Sequence, residues 1–397
     1  MAEPRTSIYL DSCATSPPRN GVVDAIVRAH ATAWANPSSL HQPGLDAADL
    51  LERSRLRVAS ALNANPDDVI VTSGATESVH LALGGMACSH PPGRVVISAV
   101  EHPAVTAAAH QLKAQGCAVQ TWPVDGLGRI RLDCLESLLA PPTVLVSLIW
   151  GQSEVGTLQP IHTVGLACQQ RGIPFHVDAT QVLSQGCPDW AQLPVDLLSA
   201  SSHKFGGPKG VGLLLARSAI RGHLGPLLGG GGQEQGLRAG TQPVALVAGM
   251  AAALEQSPRW TPADSSEESQ DPLPAIAALR DQWMDGLLQD PRLQLTGDPR
   301  WRLPHHISFL VSDLNGHPLS GRALVRELAL RGIAVSSGSA CSSGKDTGSP
   351  VLAAMQVAPS LQRSGLRLSL GSWVSPQHFP PLREALDEAL TAVSEAS

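Results

Sequence analysis

Residues 199–212 read Ser-Ala-Ser-Ser-His-Lys-Phe-Gly-Gly-Pro-Lys-Gly-Val-Gly. One apolar run (Leu193, Val195, Leu197, Leu198) enters this stretch and another (Val211, Leu213, Leu214, Leu215) leaves it. Short apolar runs bounded by Gly and Pro read as strands flanking a tight loop. Lys204 sits at the end of the first strand, beside Ser201, Ser202 and His203. Such an amine suits Schiff-base chemistry with an anion held close by, and it also reads as a solvated turn residue. Lys209, five residues on, reads as part of the turn or a helper at the anion. The second reactive type is Cys341, within Ser-Ser-Gly-Ser-Ala-Cys-Ser-Ser-Gly-Lys at 336–345. A thiol in a small-residue loop can reach more than one partner, and a nearby cation, Lys345 or His102, would raise its thiolate fraction. A buried inert cysteine is the competing reading, and a Gly/Ser-rich loop opposes it.

Other polar residues recur where apolar runs end. The run 69–72 leads into Ser-Gly-Ala-Thr-Glu-Ser and then the apolar helix 79–87. A strand, a small-residue turn and a helix start make an anion site, with Ala75 and Thr76 at its mouth. An ordinary helix cap by Ser73 or Thr76 fits the same residues. The run 95–98 ends at Glu101-His102-Pro103, where His102 is either a satisfied loop histidine or a flat ring offered to a planar ligand. The run 174–177 ends at Asp178-Ala179-Thr180-Gln181. Thr76, His102, Ser153, Asp178, Gln181 and Lys204 all come after strands, and open α/β sheets bind ligands at that edge. Residues 229–241 hold four successive glycines and then Arg238 and Thr241, either a flexible loop or a close backbone approach to a ligand.

Elements that alternate strand and helix must position these residues. Helices are expected at 22–34, 45–62, 104–115, 133–139 and 164–171, and strands at 119–124 and 143–150. That alternation predicts an α/β fold with a large, mostly parallel sheet domain. Residues 256–274 turn to Ser, Pro, Asp and Glu and read as a linker or insertion. They separate a large domain (15–255) from a smaller α+β one. The 397 residues suffice for two domains, and 43% apolar against 16% charged residues allow a sizeable core. A net charge of −6 and 3% aromatics argue against a nucleic-acid partner. The seven cysteines show neither a Cys-x-x-Cys pair nor zinc spacing, so neither a disulfide framework nor a metal is expected. There is no secretory pattern at the start, and the longest apolar runs are short for a bilayer, so a cytoplasmic protein without membrane contact is expected.

One cofactor would use this whole set. Pyridoxal 5'-phosphate (PLP) needs a lysine amine, which Lys204 supplies, and a carboxylate at its ring nitrogen, for which Asp178 is suited. Its phosphate needs a helix start and hydroxyls, from Ala75, Thr76, Ser201 and His203. His102 can stack on the ring and Gln181 can donate to the phenolic oxygen. Arg367 is a bidentate partner for a substrate carboxylate.

With these residues in place, the chain resembles the NifS/IscS-type cysteine desulfurases of the class-V aminotransferase family. The likeness runs in order through Tyr-Leu-Asp at 9–11, Asn-Pro-Ser-Ser-x-His at 36–41 and Thr-Ser-Gly-Ala-Thr-Glu-Ser at 72–78. It continues through Glu-His-Pro-Ala-Val at 101–105, His-Val-Asp-Ala-x-Gln at 176–181 and Ser-x-His-Lys-x-x-Gly-Pro-Lys-Gly at 201–210. Gly-Gly-Gly-Gln-Glu-x-Gly-x-Arg-x-Gly-Thr at 230–241, Ser-Ser-Gly-Ser-Ala-Cys at 336–341 and Arg-x-Ser-x-Gly at 367–371 complete it.

The resemblance implies the fold-type I PLP architecture, with the small domain built from both chain ends (1–14 and 275–397). It implies a homodimer in which Thr241 reaches the neighbour's phosphate. It makes Lys204 the Schiff-base lysine and Cys341, in a loop of the long-loop group, the nucleophile. Cys341 would take sulfur from L-cysteine, leaving L-alanine and a persulfide for an acceptor such as an iron–sulfur scaffold. His102 joins the catalytic set, and Asn36, Ser153 and Arg367 are placed at the substrate. The chain departs from the family where Gln152-Ser153 replaces Asn-Asn, so a cofactor- and substrate-contacting asparagine falls on Ser153. His80, Gln235 and Ser372-Trp373 are further departures. Two alternatives remain: a PLP-dependent lyase for selenocysteine, cystine or cysteine sulfinate, in which Cys341 is dispensable, and a low-turnover sulfur carrier, which Ser153 motivates.

Overall fold

The computed structural model describes residues 8–88, 92–260, 274–338 and 348–396. Cys341, Lys345 and most of the expected linker lie outside the described residues. The first strands are β1 (Ile8–Tyr9), β2 (Val69–Thr72), β3 (Arg94–Ser98), β4 (Ala118–Trp122), β5 (Thr143–Ile149) and β6 (Phe175–Asp178). They are followed by β7 (Cys187–Pro188), β8 (Leu197–Ser201), β9 (Gly212–Ala216) and β10 (Arg259–Trp260). The last are β11 (Leu293–Leu295), β12 (His306–Val311), β13 (Ile333–Ala334) and β14 (Gly365–Ser369).

Seven strands form one sheet in the order β2-β9-β8-β6-β5-β3-β4. All neighbours pair in parallel except β9, which runs against both β2 and β8. The strand residues alternate between two buried faces. Val69, Val71, Val96, Val146 and Leu213 join one core, and Ile70, Val95, Ile97, Leu145 and Leu214 join the other. This period of two, with both sides apolar, belongs to a sheet covered by helices on both faces. Helices α1 (Val22–Thr32) and α2 (Gln42–Leu62) cover the first face, and α3 (Ala75–Cys88) and α4 (Pro103–Ala114) cover the second.

The ends of α2 and α4 have local causes. The helix α2 starts before the expected residue 45 because His41 caps it through Nδ1, accepting from the Gly44 N–H, with Pro43 in the first turn. The helix α4 starts at Pro103 for the same reason, with His102 as its cap.

A second, antiparallel sheet has the order β11-β12-β14, and β1 pairs in parallel with β13. A separate apolar cluster underlies it, joining Leu10 to Ile307, Phe309, Leu324, Leu368 and Leu386. The start of the expected linker does not leave the surface, since β10 pairs with β7. Among the described residues, no helix is long and apolar enough to cross a membrane.

The Gly-rich run 229–241 is anchored rather than loose. Glu234, in the left-handed region at φ 49°, points a fully buried carboxylate at Arg55. Arg55 donates from Nη2 at 2.8 Å and Nη1 at 2.9 Å, and the Val71 N–H donates at 2.8 Å. The pair therefore ties the loop to α2 and the edge strand β2. Removing one partner of a buried pair strands the other. Glu234→Ala should lower the unfolding free energy by about 3–5 kcal/mol in urea denaturation. A loss of about 1 kcal/mol or less, the worth of a surface pair, would show that the loop is held by something else.

Candidate active site

The carboxyl ends of β2, β3, β5, β6 and β8 meet along one edge of the large sheet, where the reversed β9 contributes its amino end. At that end Gly212 allows a close approach: a Cβ there would lie 2.6 Å from both the Ala200 carbonyl oxygen and Gly74 Cα. A cavity of about 500 Å³ opens along this edge. Ala75 and Thr76 at the start of α3, His102 at the start of α4, and Ser153 beyond β5 line it. So do Asp178 and Gln181 at the end of β6, and Ser201, His203 and Lys204 after β8. Arg367 reaches it from β14 of the second sheet. Lys209 also lines it, so it is a cavity residue and not only part of a turn.

Asn36 and Thr241 are not brought there. Both are exposed, and the Asn36 Oδ1 accepts from the Ser38 N–H at 2.9 Å in its own turn. They belong to the surface beside the 231–242 loop, whose cleft is lined by Pro37, Ser38 and Gln242. The expected nucleophile Cys341 lies outside the described residues; Gly338, three residues before it, lines the cavity.

The Lys204 amine is held by the chain that enters the fold. Its Nζ donates to the carbonyl oxygens of Cys13 at 2.6 Å and Ala14 at 2.8 Å. The Ser16 hydroxyl in turn donates to the Lys204 carbonyl at 2.8 Å. Gly206, at φ +79°, lets the chain turn away two residues after the lysine, where a Cβ would meet Arg19 Cγ at 2.7 Å. Asp178 is 4% exposed, and its Oδ1 accepts from the Thr180 N–H at 3.0 Å and hydroxyl at 2.5 Å. Gln181 donates to the Cys13 carbonyl at 3.0 Å, while its Oε1 is buried with no partner among the described residues.

The histidines here are oriented by their partners, and burial keeps His203 and His176 neutral. His102 accepts the Ala104 N–H on Nδ1 at 3.1 Å, which assigns the ring proton of the neutral form to Nε2. It thus caps α4 and lines the cavity at once, uniting two readings that the sequence leaves separate. Burial, with the charges of Lys204 and Lys209, pushes His203 down to about 4. Its Nδ1 lies 3.1 Å from the Thr15 hydroxyl. In the sheet below, His176 bridges Ser147 and Ser199 on the adjacent strands, and burial pushes it down to about 4.

Arg367 is engaged on two sides: Nη2 donates to Asp11 Oδ1 at 2.7 Å and Nη1 to the Ser153 carbonyl at 2.9 Å. The sequence gives Asp11 no role beyond the Tyr-Leu-Asp likeness, since its partner lies 356 residues away. Glu101 is the other residue that sequence reasoning misses, and the Glu-His-Pro-Ala-Val likeness gives it no role of its own. Its Oε1 accepts from the Ser98 hydroxyl at 2.5 Å and the Ile149 N–H at 2.9 Å, while Oε2 is buried without a partner. Burial pushes this carboxyl up to about 8, and the charge of Asp178 adds to the rise against the lowering bonds from Ser98 and Ile149.

The matched family model is Aminotransferase class-V, over residues 8–377. The chain belongs to that family. It is 33% identical over 393 residues to the "Cysteine desulfurase IscS" of Methanosarcina thermophila, covering 98% of this chain and 94% of that one. It is 34% identical to the "Cysteine desulfurase, mitochondrial" of Saccharomyces cerevisiae, covering 98% and 76%. A solved "NIFS-LIKE PROTEIN" superposes with a TM-score of 0.83 at 29% identity, covering 98% and 99%. The class-V fold, with a mixed, mostly parallel seven-stranded sheet, is therefore the one expected from the sequence.

Glu101 makes stability at this class-V site depend on pH. An acid whose folded pKa is raised contributes stability that is fully present below its unfolded pKa, about 4.3. That contribution is lost as the pH rises through about 8. Glu101→Gln cannot ionise and should gain stability relative to wild type between about pH 5 and 9, by on the order of a few kcal/mol at the alkaline end. Urea midpoints measured across this range test it, and parallel curves for the two proteins would refute it.

Proposed function

We propose that this chain is a PLP-dependent cysteine desulfurase: L-cysteine becomes L-alanine, and the sulfur passes to Cys341 as a persulfide. The observation that carries the reading is the convergence of the Lys204 amine, the Asp178 carboxylate and the Arg367 guanidinium on one cavity of about 500 Å³. The residues fit the cofactor. A buried carboxylate ends β6, a helix start and hydroxyls border the same space, and the cavity-lining Gln181 has a buried Oε1 with no partner among the described residues. Bound there, PLP supplies a reactive carbonyl and an electron sink for the bonds at the substrate α-carbon.

The protein groups divide the remaining work. Arg367 binds the substrate carboxylate. Asp178 keeps a proton on the ring nitrogen by its opposite charge. Ala75, Thr76, Ser201 and His203 receive the phosphate, with Lys209 adding a charge. His102 covers the ring and holds its own proton on Nε2. The Lys204 Nζ holds the cofactor and moves a proton at the substrate α-carbon. The Cys341 thiolate attacks the substrate sulfur: a sulfur–sulfur bond forms, the carbon–sulfur bond breaks, and a proton goes to the carbon to leave alanine. One cysteine and one protein thiol thus give one alanine and one persulfide, with no added oxidant.

The same reading takes the protein to be a cytoplasmic homodimer that passes the persulfide sulfur to an acceptor protein. The exposure of Asn36 and Thr241, away from their own cavity, supports a role in a neighbour's site. Exposed Trp34 (71%) and Leu40 (91%) supply apolar surface for the same contact.

After L-cysteine is added, mass spectrometry should find one extra sulfur on Cys341 and an equal amount of alanine. Cys341→Ser should lose both and still change cofactor absorbance on binding L-cysteine. Lys204→Ala should lose turnover together with covalently held cofactor. Undiminished sulfide release by Cys341→Ser would favour the lyase reading, and a cofactor-loaded wild type that forms no alanine would favour the low-turnover carrier.

A further inference from the structure

We propose that Asp11 is the positioning residue that presents Arg367 to the substrate carboxylate, and that it thereby sets the preference of this cavity for α-amino acids over plain amines. The proposal rests on the reading of Arg367 as the carboxylate partner. The guanidinium is nearly enclosed, at 4% side-chain exposure, and Asp11 is its ion-pair partner at 2.7 Å. A guanidinium presents five N–H groups in one rigid plane. Here Asp11 Oδ1 restrains Nη2 and the Ser153 carbonyl restrains Nη1, so the plane cannot turn about its stem. The Nε–H is buried and has no acceptor among the described residues. A buried donor left unpaired is costly, and an anionic ligand is the group that relieves it. Asp11 therefore fixes the plane and keeps a buried cation paired while hydrogens remain for a second carboxylate.

The placement of Asp11 adds a second argument. The residue forms a bridge with Ser369 on the strand that carries Arg367, and its carbonyl accepts from Tyr9 Oη and the Ala14 N–H, both at 3.0 Å. The same turn offers the Cys13 and Ala14 carbonyls to Lys204 Nζ. One short turn thus sets both the amine that does the chemistry and the guanidinium that reads the carboxylate. An α-amino acid carries its amino and carboxylate groups on a single carbon, so its recognition requires the cofactor-holding Lys204 and the Arg367 guanidinium at a fixed separation. A ligand with an amine alone uses only the Lys204 half of the turn.

The holoenzyme is titrated with L-alanine and, separately, with ethylamine, which keeps the amine and lacks the carboxylate. Cofactor absorbance reports binding. Wild type should prefer L-alanine. Asp11→Ala, which frees the guanidinium plane, and Asp11→Glu, which pushes a carboxylate into it, should each weaken L-alanine about tenfold or more, as expected for a hydrogen bond to a charged group. Ethylamine should change by less than about threefold in both. Whichever of the Ala and Glu variants is recovered with native circular dichroism decides the matter. An unchanged preference for L-alanine in that variant overturns the role of Asp11, and so does an equal loss for ethylamine. A wild type that binds both ligands alike overturns the reading of Arg367 instead. A wild type that prefers L-alanine but never desulfurates cysteine overturns the proposed activity and leaves Asp11 in its role.

Discussion

Two carbonyl oxygens hold this site together. Those of Cys13 and Ala14 meet the Lys204 amine at 2.6 and 2.8 Å. The turn that carries them comes after β1, which pairs with β13 near the other end of the chain. The lysine comes after β8, in the middle of the large sheet. The contact therefore joins two sheets with separate apolar clusters, and the cavity lies where they meet. Shifting the turn by one residue would reverse the direction of its carbonyls and take the Asp11 carboxylate from Arg367 as well. The register of a two-residue strand, Ile8↔Ile333 and Tyr9↔Ala334, thus controls the chemistry.

The charges of the site are set by their surroundings. Burial keeps His203, His176 and His305 neutral, at about 4, about 4 and about 3. Burial also pushes up the Cys13 thiol, 3.3 Å from His305 Nε2, so this cavity-lining cysteine stays protonated. Among the described residues, Lys204, Lys209 and Arg367 line the cavity as cations; Asp178 lines it as an anion, Asp11 pairs with Arg367, and Glu77 is paired with Arg238. With Glu101 held protonated at neutral pH, the Asp178 carboxylate faces no second negative charge from Glu101. The arrangement suits two anionic groups, a phosphate and a carboxylate, and one cationic group, a protonated ring nitrogen, each at a different wall.

Much of this is legible in the sequence because the sheet edge gathers the residues at the end of each strand. Thr76, His102, Asp178 and Lys204 are tens of residues apart, yet each lies at or just past the end of a strand, so the topology brings them to one edge. The features that the sequence hides depend on contacts that leave no local pattern. The ion pair of Asp11 with Arg367 spans 356 residues, and the bond from the Ile149 N–H to Glu101 spans 48. The reversal of β9 is equally hidden, because an antiparallel strand buried on both faces has the same apolar run as a parallel one. Asn36 and Thr241 show a different limit. Their motifs point to a site, and in a single chain they stand outside it.

Ser153 shows how a departure from the family pattern can leave a backbone function untouched. Its carbonyl accepts from Arg367 Nη1 at 2.9 Å and faces His306 Nε2 at 3.1 Å. The carbonyl needs a donor, so Nε2 carries the ring proton and Nδ1 is left as an acceptor, 3.4 Å from Arg302 Nη1. Burial and the charge of Arg302 hold His306 well below its ordinary range, which keeps this neutral form. Two donors from the second sheet thus clamp the main chain at residue 153, whatever side chain it bears. A serine there shortens the reach toward the cavity, while the carbonyl that steadies the Arg367 guanidinium stays in place.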